Sequence, residues 1–336
     1  MQPLAYVTRG DLIESIHYGD LAVCDASGRL VASLGDPERV IYWRSSAKPI
    51  QALTVVHSGA ADRFGLSAKQ LSVCCPSHCG SAEHVETVRS ILKLLGLDES
   101  ALQCGVHWPS DTQERDRLIG AGLTPTPLHN NCSGKHAGML AAAVALGADV
   151  SRYLELSHPV QQSILADLAA LSDVPATQIV TGVDGCGAPV HGMPLRAMAT
   201  AFARLGWPDE MPERIQKAAP RVIAAMCAEP VMVSGRRSFN SELLAASFGR
   251  VVAKGGAEGL FVVGLTVPGL GMAVRTVDGS GRGHPPVVLR TLELLGALPA
   301  DLHEALAAFA CQPVTNCHGQ VVGEIRAAFD ALNVPQ

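Results

Sequence analysis

Ser45-Ser-Ala-Lys48 places a hydroxyl and an amine three positions apart. On a helix such residues share a face, with about 5–6 Å between their Cβ atoms, so the amine can reach the hydroxyl. A lysine kept from water, or held near another cation, gives access to its neutral form and can take the serine proton. The chemistry would be nucleophilic attack by Ser45 with Lys48 as base. A helix-capping serine beside a solvated lysine is the alternative, and this spacing alone does not separate the two.

Four further groups could join that chemistry. Lys254-Gly-Gly-Ala-Glu-Gly259 supplies a second lysine at a glycine-rich strand. Ser77-His78 lies between Pro76 and Cys79-Gly80, where a hydroxyl either meets substrate or only shapes a turn. Cys132-Ser-Gly-Lys135 repeats the Ser45 to Lys48 spacing with sulfur for oxygen, and Asp184-Gly-Cys186 brings another thiol on a tight turn. Two thiols on separate glycine turns suit a soft tetrahedral ion such as Zn²⁺, with His129, His136 or His191 near in sequence as further ligands. Two buried thiols without an ion, or Cys132 as nucleophile beside Lys135, are the other readings. A Ser-x-x-Lys opening an apolar helix, followed by a Lys-x-Gly strand, is also the order of penicillin-recognising enzymes. Together these features favour a serine hydrolase.

The elements that must position these groups read as a mixed α/β chain. Asp20 to Leu34 alternates around Asp25-Ala-Ser-Gly28, a hairpin signal. Val40 to Trp43 follows, then a helix that Ser45 or Ser46 would cap and whose first turn accepts Pro49. Cys74 to Ser81 is a loop ahead of an amphipathic helix over Glu83 to Leu95. Asn130 to His136 opens the Ala-rich helix Gly138 to Leu146, and Pro159 to Leu171 is another helix. Ile179 to Gly187 reads as a strand entering a tight turn. Lys254 to Gly264 leads into a strand, and Pro268 to Gly271 turns the chain into Met272 to Val277. Helices over Pro286 to Leu295 and Ala300 to Phe309 are expected to close the chain. Glycine-rich turns with a nucleophile, lysine or thiol cluster in four places, as functional loops on a rigid scaffold do.

Composition narrows the classes. The 336 residues are 48% hydrophobic but only 4% aromatic, so the core must be built from Ala, Val, Leu and Gly. Net charge is -5, with no basic stripe to neutralise phosphates, which argues against nucleic acid. The opening MQPLAYVTRGD lacks an apolar targeting segment, and Gly259 to Val274 is too short and interrupted for a membrane span. A cytoplasmic location is therefore expected, with the ten cysteines reduced and most of them, such as Cys24, Cys104, Cys227 and Cys311, in the core. No linker or repeat marks a boundary, so 1–336 reads as one catalytic domain, or two sub-domains whose boundary the sequence does not place. Gly255, Gly256 and Gly259 do not make a phosphate loop, since no Gly-Lys-Ser/Thr opens a helix there. His57 and His158 read as structural.

Arg44-Ser-Ser-Ala-Lys-Pro49, Pro76-Ser-His78, Asn130-Asn-Cys-Ser-Gly-Lys-His-Ala137, Val183-Asp-Gly-Cys-Gly187 and Lys254-Gly-Gly-Ala-Glu-Gly259 occur together and in order. This set resembles the Rhizobium etli-type, class 3 L-asparaginases, over nearly the whole chain. The resemblance implies a fold like that of serine β-lactamases and glutaminases, an antiparallel sheet flanked by helices. It implies hydrolysis of L-asparagine, with Ser45 as nucleophile, Lys48 as its base, and Ser77 as a second serine paired with Lys254. It implies one Zn²⁺ per chain on Cys132, Lys135 and Cys186, with water completing the shell, and a homodimer. Arg44, Asp184 and His78 would meet the substrate, Arg44 its carboxylate and Asp184 its amino group or a metal ligand. A penicillin-recognising acyl transferase and a non-catalytic zinc- or amino-acid-binding relative are the rival readings.

Overall fold

The computed structural model describes residues 1–335. Its centre is an eight-stranded antiparallel sheet. The strands are β1 (Gln2–Arg9), β2 (Leu12–Asp25), β3 (Leu30–Leu34), and, after the small-sheet strands β4 (Val40–Tyr42), β5 (Val180–Val183) and β6 (Pro189–Pro194), β7 (Val251–Gly255), β8 (Leu260–Leu265), β9 (Leu270–Thr276), β10 (Gln312–Thr315) and β11 (Val321–Ala327). The order is β10-β11-β1-β2-β9-β8-β7, with β3 paired to β2; the small sheet runs β4-β6-β5. The fold is α/β with the sheet between two helical layers, as expected.

The alternation of strand side chains builds those layers. Ala22, Ala273 and Val262 are cross-strand neighbours that face one core, shared with the helices Lys48–His57, Ser133–Leu146, Pro159–Ser172, Leu195–Gly206 and Glu213–Ala228. Their strand neighbours Val23, Met272 and Val263 face the other, shared with Phe239–Ser247, His284–Leu294 and Ala300–Ala305. The small side chains foreseen from composition have a use here. At Gly271 and Gly264 an added Cβ would overlap the backbone of Ala199 and Phe202, so the helix Leu195–Gly206 lies directly on β9 and β8. Among the described residues no helix is long and apolar enough to cross a membrane.

Several expectations are corrected. The hairpin foreseen over Asp20 to Leu34 is present, but β2 begins at Leu12 and pairs with β1, which was not foreseen. The chain closes on β10 and β11 rather than on helices, and the last helix breaks at Leu306. Neither Ser45 nor Ser46 caps a helix: Arg44–Ala47 is a 3₁₀ turn without a side-chain cap, running straight into Lys48–His57. All ten cysteines are free, yet Cys311 and Cys317 are exposed rather than in the core. His57 is structural as read: its Nε2 lies 2.7 Å from the buried Asp167, which also accepts from Arg214.

Candidate active site

The 3₁₀ turn Arg44–Ala47 follows β4 and is held by three anchors. Trp43 is fully buried, the Ser46 hydroxyl donates to the Lys254 carbonyl (3.2 Å), and Arg44 Nε donates to Asp184 Oδ1 (2.8 Å). Arg44 takes φ 47, an uncommon conformation for a residue with a side chain, found preferentially where surroundings enforce it. The turn leaves Ser45 half-buried and sends Lys48 into the core.

Lys48 is 1% exposed, and its Nζ is satisfied by the Pro76 carbonyl (2.6 Å), Ser77 Oγ (3.1 Å), the Asn131 carbonyl (3.4 Å) and Cys132 Sγ (3.2 Å). The hydroxyl that Lys48 meets is therefore Ser77 and not Ser45. The carbonyls of loops 76–78 and 130–132 draw the amine away from its own turn. Lys254 likewise does not bond Ser77; its Nζ donates to the Gly255 carbonyl at 2.5 Å. The two serine–lysine pairs foreseen from sequence are thus re-partnered. Lys254 stands opposite Val262 in the β7–β8 ladder, so its side chain leaves the sheet on the face covered by the Lys48–His57 helix.

Burial lowers the pKa of Lys48, an effect the nearby Cys132 sulfur opposes. Burial, with the Lys48 charge adding to it, brings Lys254 down to about 7. Both amines thereby gain the neutral form a base requires.

The thiols lie near Lys48 and Lys135, two of the lysines named in the sequence. Cys132 begins the helix Ser133–Leu146, Cys186 sits in the turn between β5 and β6, and Lys135 Nζ is 3.0 Å from Cys186 Sγ. Hydrogen bonding to Cys186, aided by the two lysine charges, holds Cys132 well below the usual thiol range; the same bond and burial push Cys186 up. Burial depresses Lys135, but the two sulfurs outweigh it and its pKa is raised. Each sulfur lies beside an amine, Cys132 next to Lys48 at 3.2 Å and Cys186 next to Lys135 at 3.0 Å. No histidine joins them: among the described residues no three of His, Cys, Asp and Glu form a metal-holding group. His136 Nδ1 instead pairs with the Tyr153 hydroxyl (2.6 Å), and His129 Nδ1 accepts from the Thr126 amide (3.0 Å). The set of two sulfurs and one nitrogen fits a thiophilic divalent cation in number and softness.

Asp184 accepts from Arg44 and from the Gly185 amide (2.9 Å) and is largely buried. Burial raises its pKa, but Lys135, Gly185 and Arg44 outweigh that and hold it lowered. His78 is a correction. It is 1% exposed, its Nδ1 accepts from the Gly80 amide (3.1 Å), and its Nε2 meets Ser133 Oγ (2.9 Å). With both nitrogens engaged it fixes the Ser77 loop and has no atom free for substrate. Sequence reading missed Glu258, whose Oε1 lies 3.5 Å from Arg44 Nη1; its signal was its place inside the Lys254–Gly259 block. A cavity of about 310 Å³ opens beside Arg44 and Glu258, lined also by Tyr42 and Arg275. A cavity of about 700 Å³ beyond the Ser77 loop, near His84 and Asp111, is lined by none of the serines and lysines named above.

Residues 5–327 match the family described as L-asparaginase II. The chain belongs to that family. No curated protein matches it. Solved structures similar to this L-asparaginase II family member include a β-lactamase from Mycobacterium bovis, at 15% identity over 87% of this chain and 95% of that one, TM-score 0.42. A class C β-lactamase from Rhodobacter sphaeroides shares 14% over 88% and 94%, TM-score 0.39. Mglu in its tris and glutamate form shares 15% over 88% and 64%, TM-score 0.36.

Proposed function

We propose that this protein is an L-asparagine amidohydrolase of the Rhizobium etli-type, releasing L-aspartate and ammonia. The observation that carries the reading is the buried Lys48 amine, 3.1 Å from Ser77 Oγ and one turn beyond the half-buried Ser45, in a chain whose family match is nearly end to end.

Ser45 attacks the side-chain amide carbon, and its proton passes to the Lys48–Ser77 pair. The Ala257 amide, which has no acceptor among the described residues, lies in the turn packed on Ser46 and suits an oxyanion donor. The C–N bond breaks as ammonia leaves with the transferred proton, leaving an aspartyl ester on Ser45. Water, deprotonated through the same lysines, cleaves the ester and restores the serine. Lys254, neutral above pH of about 7, serves as the second proton carrier.

Cys132, Lys135 and Cys186 would hold one zinc ion. Bound there, the ion would supply a fixed positive charge and one open coordination position.

A second reading makes Ser77 the nucleophile, and the 3.1 Å contact with Lys48 favours it. The two separate in a quench experiment with asparagine and peptide mass spectrometry. On the first reading a folded Ser45→Ala protein releases no ammonia, and Ser77→Ala is slow but still acylated at Ser45. Acylation at Ser77 in the Ser45→Ala protein would establish the second. Near-normal turnover by both variants would end the serine mechanism. Nitrocefin hydrolysis without ammonia release from asparagine would move the protein to the penicillin-recognising class.

A further inference from the structure

Among the described residues two non-glycine positions with positive φ, Arg44 (φ 47) and Glu258 (φ 61), face each other at the mouth of the 310 Å³ cavity. That conformation is unfavourable for a residue with a Cβ, and it persists only where the surroundings fix it. The turn carrying Glu258 is fixed on several sides. The Gly256 amide donates to the Leu260 carbonyl (2.7 Å), and a Cβ on Gly256 would strike Ser46 and the Trp43 carbonyl. The Gly255 amide donates to Asn240 Oδ1 (3.0 Å), and His284 Nε2 meets the Gly259 carbonyl (2.8 Å). The result of this construction is a carboxylate with one loose contact, 3.5 Å to Arg44 Nη1, and 65% of its side chain exposed.

The geometry points to Glu258 as the residue that binds the α-ammonium of the amino-acid substrate, with Arg44 taking the α-carboxylate. An α-amino acid carries both charges on one carbon, and here a carboxylate and a guanidinium stand side by side next to the serine-bearing turn. Asp184, the acid foreseen for the ammonium, is already committed to Arg44 Nε and the Gly185 amide and is only 9% exposed. A bound ammonium replaces a weak, solvent-screened ion pair at Glu258, whereas at Asp184 it would have to displace a buried one. The cavity volume is at the lower end of small-molecule sites; Arg44 and Glu258 line it, while Ser45 and Lys48 do not. This assignment rests on the asparagine reading above.

The test compares wild type, Glu258→Gln and Glu258→Asp in asparagine turnover, with L-aspartate and succinate as competitive inhibitors. Succinate is aspartate without its ammonium. Loss of a charge-assisted hydrogen bond corresponds to about a ten- to hundredfold change. Glu258→Gln is expected to raise KM for asparagine and Ki for aspartate by about that factor, with kcat nearly kept and succinate inhibition within about twofold of wild type. Glu258→Asp should recover part of the loss. An equal rise for succinate and aspartate, or no rise for aspartate, overturns the assignment while leaving the asparaginase reading intact. A wild-type protein that releases no ammonia from asparagine overturns both.

Discussion

Lys254 is a charged-group type placed where water does not reach, and its replacement by the similarly shaped, uncharged methionine has a calculable consequence. The amine falls from its ordinary 10.5 to about 7 in the folded protein, through burial first and the Lys48 charge second, against weaker opposing contributions from Cys132 and Cys75. A shift of that size, at about 1.36 kcal/mol per pKa unit, is on the order of 5 kcal/mol. Below pH 7 the amine is charged in both states, and the penalty on the fold is complete. Between pH 7 and 10.5 the unfolded chain still holds a proton the native protein has released, so stability rises with pH. Over pH 7 to 9 the gain from this one residue is about 2 kcal/mol.

Buried thiols work in the opposite direction: Cys74 and Cys104 are pushed up to about 12, so their contribution falls as pH passes 9. They are common to wild type and Lys254→Met and cancel in the difference. The variant also loses the bond to the Gly255 carbonyl, which costs about 1–3 kcal/mol if that oxygen stays dry. Lys254→Met should therefore be more stable than wild type at pH 7, and its advantage should shrink by about 2 kcal/mol by pH 9. Urea denaturation of both proteins at pH 7, 8 and 9, with reductant present, measures this. A difference that does not change with pH would refute the reasoning, because the native amine would then hold the same proton as the unfolded one.

Purified protein should contain close to one zinc per chain by elemental analysis, and Cys186→Ser should lose most of it; no zinc in wild type, with activity indifferent to chelation, would remove the site. Gly271→Ala should destabilise by about 1–3 kcal/mol, because its Cβ meets the backbone of Ala199 and Ala203 and the helix must move. Gly185→Ala, with open space at its Cβ, is the control and should show little change in urea midpoint.

The loops that carry the candidate groups were legible because each is punctuated by glycine, proline or asparagine. Partner choice was not. Whether Lys48 turns to Ser45 or Ser77 depends on carbonyls of Pro76 and Asn131, which come from loops 28 and 83 positions away. The sheet edge was also hidden. The first half of β2 leaves most positions exposed, and β10 and β11 are half-exposed, so they lack the apolar run that marks a buried strand.

Three amines, Lys48, Lys135 and Lys254, are each no more than 4% exposed, an arrangement that self-repulsion would oppose in a chain selected for stability alone. The two sulfurs offset only part of it. Cys132 and Cys186 raise the pKa of Lys135, while Lys48 and Lys254 remain lowered, so the charge is unevenly distributed. Protonation is thus favoured at the amine beside the thiols and disfavoured at the two near the serines. A cation held by Cys132, Lys135 and Cys186 would take the sulfur charge that otherwise favours protonated Lys48, and would require Lys135 itself to be neutral. The thiol site and the serine site are therefore electrostatically linked whichever serine is the nucleophile.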